Sequence, residues 1–454
     1  MKDFQVGYAS VDITPPLGSA INGYYVPRYA KGILDPLTAS ALALTLGEQT
    51  VVLMSIDNCL FSRAFVHRCN KAIEKATGLS GDCVMITATH THTGPFCEPT
   101  TMFETDDAPI LAYGEFLVSR VADAVALALD DRHPARMGYI VGTAPERVAY
   151  IRRYKMKDGT TMTCPPIDDP NIDHPIGTLD QRVNVLRFDR EGAPTVILMN
   201  YGLHADCVNG ELLSPDWPCE MAKTLEKALD GVKTMFISGA AGDVGSTNVH
   251  PKDGDMNDTE ISFDNEMKSP GMARFVGRAL AGTVLQVYDK VKYVPVERLK
   301  IQKREIAVAA NVPAHDDLPR AHEYKRLHDM GRDDLIPYSA MELTTVVAEA
   351  LRMCRLENGP ESFPMDLTGV VIGEVALLGI PGEPFTDIGV GIKKTEGYGL
   401  ILPCALSGGY EGYFPMQSAY DEGGYEARTS VFRAGVAETI VKEGRTLLTD
   451  MKEA

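Results

Sequence analysis

The sequence predicts an α/β protein with a mixed, largely buried β-sheet flanked by helices in a single large domain. Short, nearly continuous hydrophobic runs recur along the chain, which is typical of strands covered on both faces. Between them lie stretches with apolar residues at three- and four-residue steps, which predict amphipathic helices. This alternation favours an α/β fold. No internal repeat or low-complexity linker divides residues 1–454, so we expect one domain.

Each predicted element rests on a local pattern. Seven hydrophobic runs are predicted as strands, at 50–57, 83–90, 183–189, 195–204, 233–243, 370–383 and 400–406. Four periodic stretches are predicted as helices, at 114–130, 270–288, 316–332 and 341–354. The second helix has Ser269 as its expected N-cap and Pro270 in its first turn. Two stretches rich in Asp, Asn, Pro and Gly, 154–178 and 249–268, predict surface excursions near a site.

Composition and charge exclude several classes of protein. A formal net charge of −18 disfavours contact with phosphate backbones, so we expect no nucleic-acid partner. No apolar run is long enough to cross a bilayer, and stable membrane insertion is not expected. The start, "MKDFQVGYASVDITPP", has no basic segment followed by an apolar run, which argues against a secretory signal. Nine irregularly spaced cysteines predict reduced thiols. These features together favour a cytoplasmic protein, and leave a monomer and a homo-oligomer both open.

The stretch "TATHTHTGP" at 87–95 places two of only ten histidines one residue apart. In an extended chain side chains alternate between faces, so His90 and His92 would project to the same side. Gly94 and Pro95 would then end the strand. Imidazole is the commonest metal ligand, which makes a metal site or an acid/base pair the functional interpretation. The alternative is a solvated strand end.

Other predicted strands also end in polar or glycine-rich residues. In α/β sheets, ligands bind beyond the carboxyl ends of strands, so these residues are expected to converge. His90, His204 and Glu383 would then form a two-histidine, one-carboxylate set, which is typical of a zinc hydrolase. Asp243 lies at a further strand end. The alternative is that Glu383 caps the helix after it and that His204 is a core residue.

An ordered series of segments resembles the N-terminal catalytic domain of the neutral/alkaline (non-lysosomal) ceramidases. The segments are "VDITPP", "NGY", "GILDPLTASALAL", "VVLMSID", "ATHTHTGP", "NYGLHADC", "GAAGDV" and "PGEPFT". The resemblance runs from about residue 6 to about residue 440 and is weak over 290–365, a possible insertion or set of family-specific helices. Its most specific piece, "ATHTHTGP", is close to the family's THTHSGP.

The resemblance implies roles for particular residues. It implies zinc ligation by His90, His204 and Glu383, with Tyr413 of "GGYEGY" as the fourth ligand. It implies that His92 faces the substrate, as does an arginine of "YIRRYK", Arg153 or alternatively Arg152. The segment also holds further tyrosines: Tyr410, Tyr420 and Tyr425.

The sequence departs from the family pattern in several places. The family's GDVSPN appears as "GDVGSTN" at 242–248, so Asp243 stays in register while the serine moves to Ser246. The segment "FCEPTTMFETDD" at 96–107 replaces a glycine-rich stretch, and we expect it to give one wall of the entrance an acidic character. Ceramidases carry a further C-terminal β-sandwich domain, and we expect no room for it within residues 1–454.

These observations predict a zinc-dependent amidohydrolase that acts on a small, soluble N-acylated compound, with Zn²⁺ as cofactor. Activated water would attack the carbonyl, Tyr425 or Arg153 would stabilise the oxyanion, and His92 would pass the proton to the amine. An esterase, lactonase or phosphatase on the same site is the alternative within enzymes, because the ligand set does not fix which bond is cleaved. A non-catalytic metal- or ligand-binding protein is the alternative outside them.

Overall fold

The structure, a computed structural model, describes residues 4–453 of the chain. Its α-helices are α1 (Arg63–Thr77), α2 (Asp107–Asp130), α3 (Trp217–Ala228), α4 (Pro270–Val287), α5 (Leu318–Asp329), α6 (Ala340–Leu356), α7 (Thr386–Ile392), α8 (Gln417–Glu422), α9 (Tyr425–Thr429) and α10 (Val436–Glu453). Short 3-10 turns lie at Gly81–Cys83, Tyr288–Lys290, His315–Asp317 and Asp333–Leu335.

The strands lie between these helices and vary from two to eleven residues in length. They are β1 (Phe4–Asp12), β2 (Gly32–Ile33), β3 (Thr38–Leu46), β4 (Gln49–Ile56), β5 (Val84–Ala88), β6 (His133–Thr143), β7 (Tyr150–Ile151), β8 (Arg153–Met156), β9 (Thr161–Thr163), β10 (Ile172–Pro175), β11 (Arg182–Arg190), β12 (Val196–Tyr201), β13 (Leu212–Leu213), β14 (Lys233–Ser238), β15 (Val244–Gly245), β16 (Glu260–Ile261), β17 (Met267–Lys268), β18 (Lys292–Val294), β19 (Leu299–Ala309), β20 (Ser362–Ile372), β21 (Val375–Gly379), β22 (Glu383–Pro384), β23 (Leu400–Cys404) and β24 (Tyr413–Phe414).

Two mixed sheets form the centre of the domain. The larger has nine strands in the order β14-β12-β11-β6-β1-β3-β4-β5, with β18 beside β6. The smaller has the order β19-β20-β21-β23. Their inner faces pack together through aliphatic side chains such as Leu44, Leu198 and Leu377. Helices cover the outer faces: α1 and α2 pack on one half of the large sheet, α3 and α4 on the other, and α7 and α10 on the small sheet. The predicted mixed, buried sheet flanked by helices is confirmed.

Three parallel strand pairs of the two central sheets decide where the site lies. They are β4 with β5, β12 with β14, and β21 with β23. Their carboxyl ends meet, because the amide of Ala405 donates to Ser238 O and the amide of Ala88 donates to Leu406 O. The loops that follow these strands therefore share one small region, as expected for the ligand crevice of an α/β sheet.

All four predicted helices are present, and six of the seven hydrophobic runs each contain one strand. Ser269 caps α4 by accepting a hydrogen bond from the amide of Met272, as predicted. The run at 370–383 is instead the end of β20, a tight turn, then β21 and the start of β22. Gly373 turns the chain at φ +60°, a conformation that favours glycine. The stretch 290–365, where the resemblance is weak, forms β18, β19, α5 and α6 and enters β20.

All nine cysteines are free thiols, most of them buried. Among the helices built from residues 4–453, none has both the length and the hydrophobicity needed to cross a bilayer.

Candidate metal centre

Three side chains from distant parts of the sequence meet at the carboxyl ends of the parallel strands. His90 follows β5, His204 follows β12 and Glu383 begins β22. The Nε2 atoms of His90 and His204 lie 3.1 and 2.9 Å from Oε2 of Glu383. All three residues are buried. The two-histidine, one-carboxylate cluster predicted from the sequence is therefore assembled in the fold.

The histidine pair is brought together by a turn and not by a strand. The prediction that 83–90 is extended is wrong at its end, because β5 stops at Ala88 and His90 has φ +69°. Such a left-handed conformation costs a non-glycine residue about 1–2 kcal/mol. The neighbouring threonines help to hold it: the hydroxyls of Thr91 and Thr93 both donate to Ser214 O. The result is that the Nε2 atoms of His90 and His92 lie 3.3 Å apart.

Backbone carbonyls fix the orientation of both ligand histidines. Nδ1 of His90 donates to Cys59 O at 2.8 Å, and Nδ1 of His204 donates to Val244 O at 2.9 Å. In the neutral rings, each Nε2 therefore presents a lone pair to the carboxylate of Glu383, which is itself an acceptor. Oε2 of Glu383 has no hydrogen-bond donor among the described residues, and three acceptors facing one another fit a bound cation. Ligand histidines commonly donate their other N–H in this way.

The charges in the cluster lead to the same conclusion. Burial lowers the pKa of His90, but the Glu383 carboxylate outweighs it and holds that pKa well above its usual value. Burial raises the pKa of Glu383, yet His90 and His204 hold it well below its usual range. Burial and the positive charge of Arg152 lower the pKa of His204. The buried Glu383 carboxylate is thus stabilised by a positive charge, and either a proton on a histidine or a bound metal ion would supply that charge.

No family model matches the chain, and no curated protein matches its sequence. Among solved structures, the neutral ceramidase from Pseudomonas aeruginosa superposes with a TM-score of 0.73 over 100% of this chain and 75% of that chain, at 16% identity. A ceramidase complexed with C2 gives the same score and identity over 76% of its length. This chain has a ceramidase-like fold. At that identity the likeness establishes the fold, and the chemistry depends on the residues themselves.

Within the ceramidase-like fold, Tyr413 lies directly beside Glu383. The two residues are register partners in the parallel pair β22 and β24. Gly382 allows this approach, because a Cβ at that position would lie 2.4 Å from Gly412 O. Burial and the charge of Glu383 raise the pKa of Tyr413 well above its usual value. A phenolate ligand at Tyr413 therefore depends on nearby positive charge, and its ligation of zinc stays a prediction.

Arg152 supplies such a charge, and Arg153 does not. The guanidinium of Arg152 lies 3.0 Å from the Tyr413 hydroxyl and 3.4 Å from Nε2 of His204, and it pairs with Glu426. Arg153 instead donates to Glu422 and to Gly423 O. Arg152, the alternative named from the sequence, lines the neighbouring cavity, whereas the Arg153 side chain points away, because consecutive residues of an extended chain point to opposite sides. That Arg152 faces the substrate stays a prediction.

His92 and Tyr425 both line a cavity next to the cluster, of about 240 Å³. His92 has its Nδ1 3.6 Å from Oδ2 of Asp206, and burial with the nearby positive groups lowers its pKa well below the usual value. The rings of Tyr425 and Tyr413 lie 5.5 Å apart, edge to face. Their placement is compatible with the predicted roles, which stay predictions.

The acidic segment 96–107 does not form a wall of this cavity, contrary to expectation. The described residues lining the cavity come from segments 23–26, 263–266 and 328–347, together with several residues of the site. Glu98 instead accepts hydrogen bonds from Ser62 at the start of α1, and Asp106 caps α2. The acidic side chains of this segment thus stabilise helix ends. The part of the chain with the weakest resemblance forms the outer wall.

The structure shows the surroundings of four residues to which the sequence assigned no role. Asp243 accepts hydrogen bonds from the amide and hydroxyl of Thr386 at the start of α7, which excludes Glu383 as the cap of that helix. Ser246 interacts with the Cys207 thiol. Tyr420 donates to Phe432 O. Only Tyr410 reaches the cluster, by donating to Oε1 of Glu383 at 2.8 Å.

Sequence reasoning missed several residues of the site. Tyr25 lines the cavity together with Tyr425, and Asp206 accepts a hydrogen bond from Tyr24 at 2.7 Å. Lys268, fully buried, pairs with Asp206 and Glu266. The sequence patterns that could have pointed to them are the two tyrosines after Gly23 and the lysine at the end of the acidic stretch 253–267. Neither pattern is specific for a functional site.

We expect Tyr410→Phe to weaken zinc binding about 10- to 100-fold, because it removes the hydrogen bond that orients a ligand carboxylate. Competition with a chelator of known affinity measures the change. Tyr420→Phe is the matched control, since that hydroxyl contacts only groups away from the cluster. Equal zinc affinities in Tyr410→Phe and the wild type would contradict the role given to Tyr410.

Proposed function

We propose that the protein is a zinc-dependent hydrolase that cleaves a non-peptide amide bond in a small N-acylated compound. One observation carries the proposal: the oriented Nε2 atoms of His90 and His204 meet the Glu383 carboxylate beside a cavity. The ceramidase-like fold supports it, because the solved structures with this fold are ceramidases by name.

The residues present fit zinc better than a harder cation. Zinc favours nitrogen and carboxylate ligands in small coordination numbers, and catalytic sites keep one position open. The second candidate group, Cys59 with His90 and His92, is less suitable. It would need Nδ1 of His90, which already donates to Cys59 O. We therefore propose His90, His204 and Glu383 as ligands, with Tyr413 as the fourth.

The surrounding side chains supply the remaining chemistry. A zinc ion at this site would act as a Lewis acid and make water nucleophilic near neutral pH. Arg152 and Tyr425 lie beside the cluster, where a guanidinium and a phenol stabilise negative charge on a carbonyl oxygen. His92 is held between His90 and Asp206, in a position to take a proton from water and give it to the leaving group.

The position of His92 favours an amide over an ester. An amine is a poor leaving group until it is protonated, whereas an alkoxide leaves more readily without a proton. A proton donor beside the cluster therefore increases the rate of amide cleavage more than that of ester cleavage. The test uses matched acetamides, acetate esters and a phosphate monoester with protein freed of metal and then reloaded with zinc. Zinc-dependent amide hydrolysis is expected. Cleavage of the ester or phosphate alone would replace the amidase proposal by one of its alternatives.

We expect short N-acyl amines to be hydrolysed better than long-chain ceramide. The cavity of about 240 Å³ lies below the range of about 300–1,000 Å³ that is usual for drug-sized ligands. Its wall also carries the carboxylates of Asp206, Asp264, Glu266 and Asp333, and a long alkyl chain packed against these polar groups would shield them from water at a cost in free energy. Rates of a short-chain and a long-chain N-acyl sphingosine, measured beside small acetamides, check this. Faster turnover of long-chain ceramide would contradict it.

A further inference from the structure

A histidine far from the metal cluster in sequence lines the same cavity. His328 lies near the end of α5, and Asp333 lies in the 3-10 turn that follows. Both residues line the cavity that also contains His92, Arg152 and Tyr425. Neither belongs to a segment that resembles a known motif.

Asp333 fixes which nitrogen of His328 carries the proton. Nδ1 lies 2.9 and 3.1 Å from the two carboxylate oxygens. An ionised carboxylate only accepts hydrogen bonds, so Nδ1 is the donor. In the neutral ring, Nε2 is then an acceptor with a free lone pair.

That acceptor has no partner among residues 4–453, although the side chain of His328 is only 7% exposed. Buried polar atoms are almost always hydrogen-bonded, and an unsatisfied one costs about 1–3 kcal/mol. The neighbouring wall offers the apolar side chains of Met341, Leu343 and Val347. A ligand or a water molecule in the cavity would supply the donor, and a ligand that carries a donor group would replace the water.

We infer that His328, held by Asp333, binds a hydroxyl or ammonium group on the substrate through Nε2. The inference rests on the proposed function and adds the class of substrate: an amide that also carries a hydrogen-bond donor. The rest of the wall agrees. Asp264 is buried there and accepts a hydrogen bond from the Ser262 hydroxyl, so its carboxylate is a second acceptor in the wall that contains His328. Lys268 already pairs with Asp206 and Glu266.

The test compares three series of acetamides with two to six methylenes between the amide and a terminal group. The terminal groups are hydroxyl, ammonium and methyl, and methyl cannot donate. For the wild type at one chain length, we expect the better donor series to exceed the methyl series about tenfold in kcat/KM. A tenfold ratio corresponds to about 1.4 kcal/mol, which is the contribution of roughly one hydrogen bond. Comparison of the hydroxyl series with the ammonium series shows which donor the site binds.

His328→Ala should bring the ratio of kcat/KM between the donor and methyl compounds to about one, whatever its effect on the rate with the methyl compound. Asp333→Ala, at a partly exposed position, is the second variant if His328→Ala folds poorly, and it should weaken the preference by freeing the ring. His322→Ala is the matched control on α5: its ring pairs with Glu357 at the surface and it should behave as the wild type.

Equal kcat/KM for donor and methyl compounds in the wild type would overturn the inference. A preference that survives in His328→Ala and Asp333→Ala would do the same. Calorimetric binding of the same compounds separates this inference from the proposed function. If none is hydrolysed but the donor compound binds more tightly and loses that advantage in His328→Ala, the amidase proposal fails and the His328 site stands. Absence of both hydrolysis and donor-dependent binding would overturn both.

Discussion

Replacing Glu383 by Gln should leave the protein folded and nearly free of zinc. The amide keeps the size of the side chain but removes the negative charge toward which His90 and His204 are directed. Metal analysis should give about one zinc per wild-type chain and less than about 0.1 per variant chain, since the carboxylate is one of the few ligands. The variant should also lose zinc-dependent turnover, because it no longer binds the metal.

Thermal unfolding gives a second measurement that does not depend on activity. Zinc at about 100 times its dissociation constant should stabilise the wild type by about 2.7 kcal/mol and should not stabilise Glu383→Gln. Glu396→Gln, at an exposed carboxylate, is the matched control and should respond to zinc as the wild type does. A zinc-loaded Glu383→Gln protein would show that the cluster is not the metal site.

Replacing His92 by Ala should reduce kcat about a hundredfold or more while zinc content stays at the wild-type level. His92 lies 3.3 Å from the ligand nitrogen of His90, yet its own contacts are with Asp206 and the cavity. It is therefore proposed to move a proton and not to hold the metal. Single-turnover rates and metal analysis on the same preparation check both parts.

His174→Ala, at an exposed histidine, controls for a general effect of losing an imidazole. If His92→Ala loses zinc together with activity, His92 is a ligand and the roles of the two histidines must be exchanged. If it keeps both, the proton passes through another group, for which Asp206, 3.6 Å from His92, is the first candidate to test.

Most of the candidate site could be predicted because its residues follow recognisable strands. His90, His204 and Glu383 each come just after a hydrophobic run, and such runs end at the same edge when their strands are parallel. The sequence could not show that β5 stops before His90, since a left-handed residue leaves no mark in the hydrophobic pattern. Nor could it choose between Arg152 and Arg153, whose side chains differ only in the side of the backbone to which they point.

The acidic segment 96–107 illustrates a second limit. We expected its acidic residues to line the cavity because they follow the histidine pair closely in sequence. In the fold, Glu98 and Asp106 stabilise helix ends, and α5 and α6 provide the wall instead. Distance along the chain says little about distance in space once several loops meet at one place.

The sequence by itself determined the class of the fold, the helix and strand patterns and the types of residue that would bind a metal. Hydrophobic period and ligand chemistry are local properties, and they can be read without coordinates. Only the tertiary structure decided which nitrogen of each histidine faces Glu383, which arginine joins Tyr413, and that His328 shares their cavity. These depend on the packing of two sheets and on hydrogen bonds between residues that are distant in sequence, from 31 positions for His90 and Cys59 to 261 positions for Arg152 and Tyr413. No local pattern carries that information.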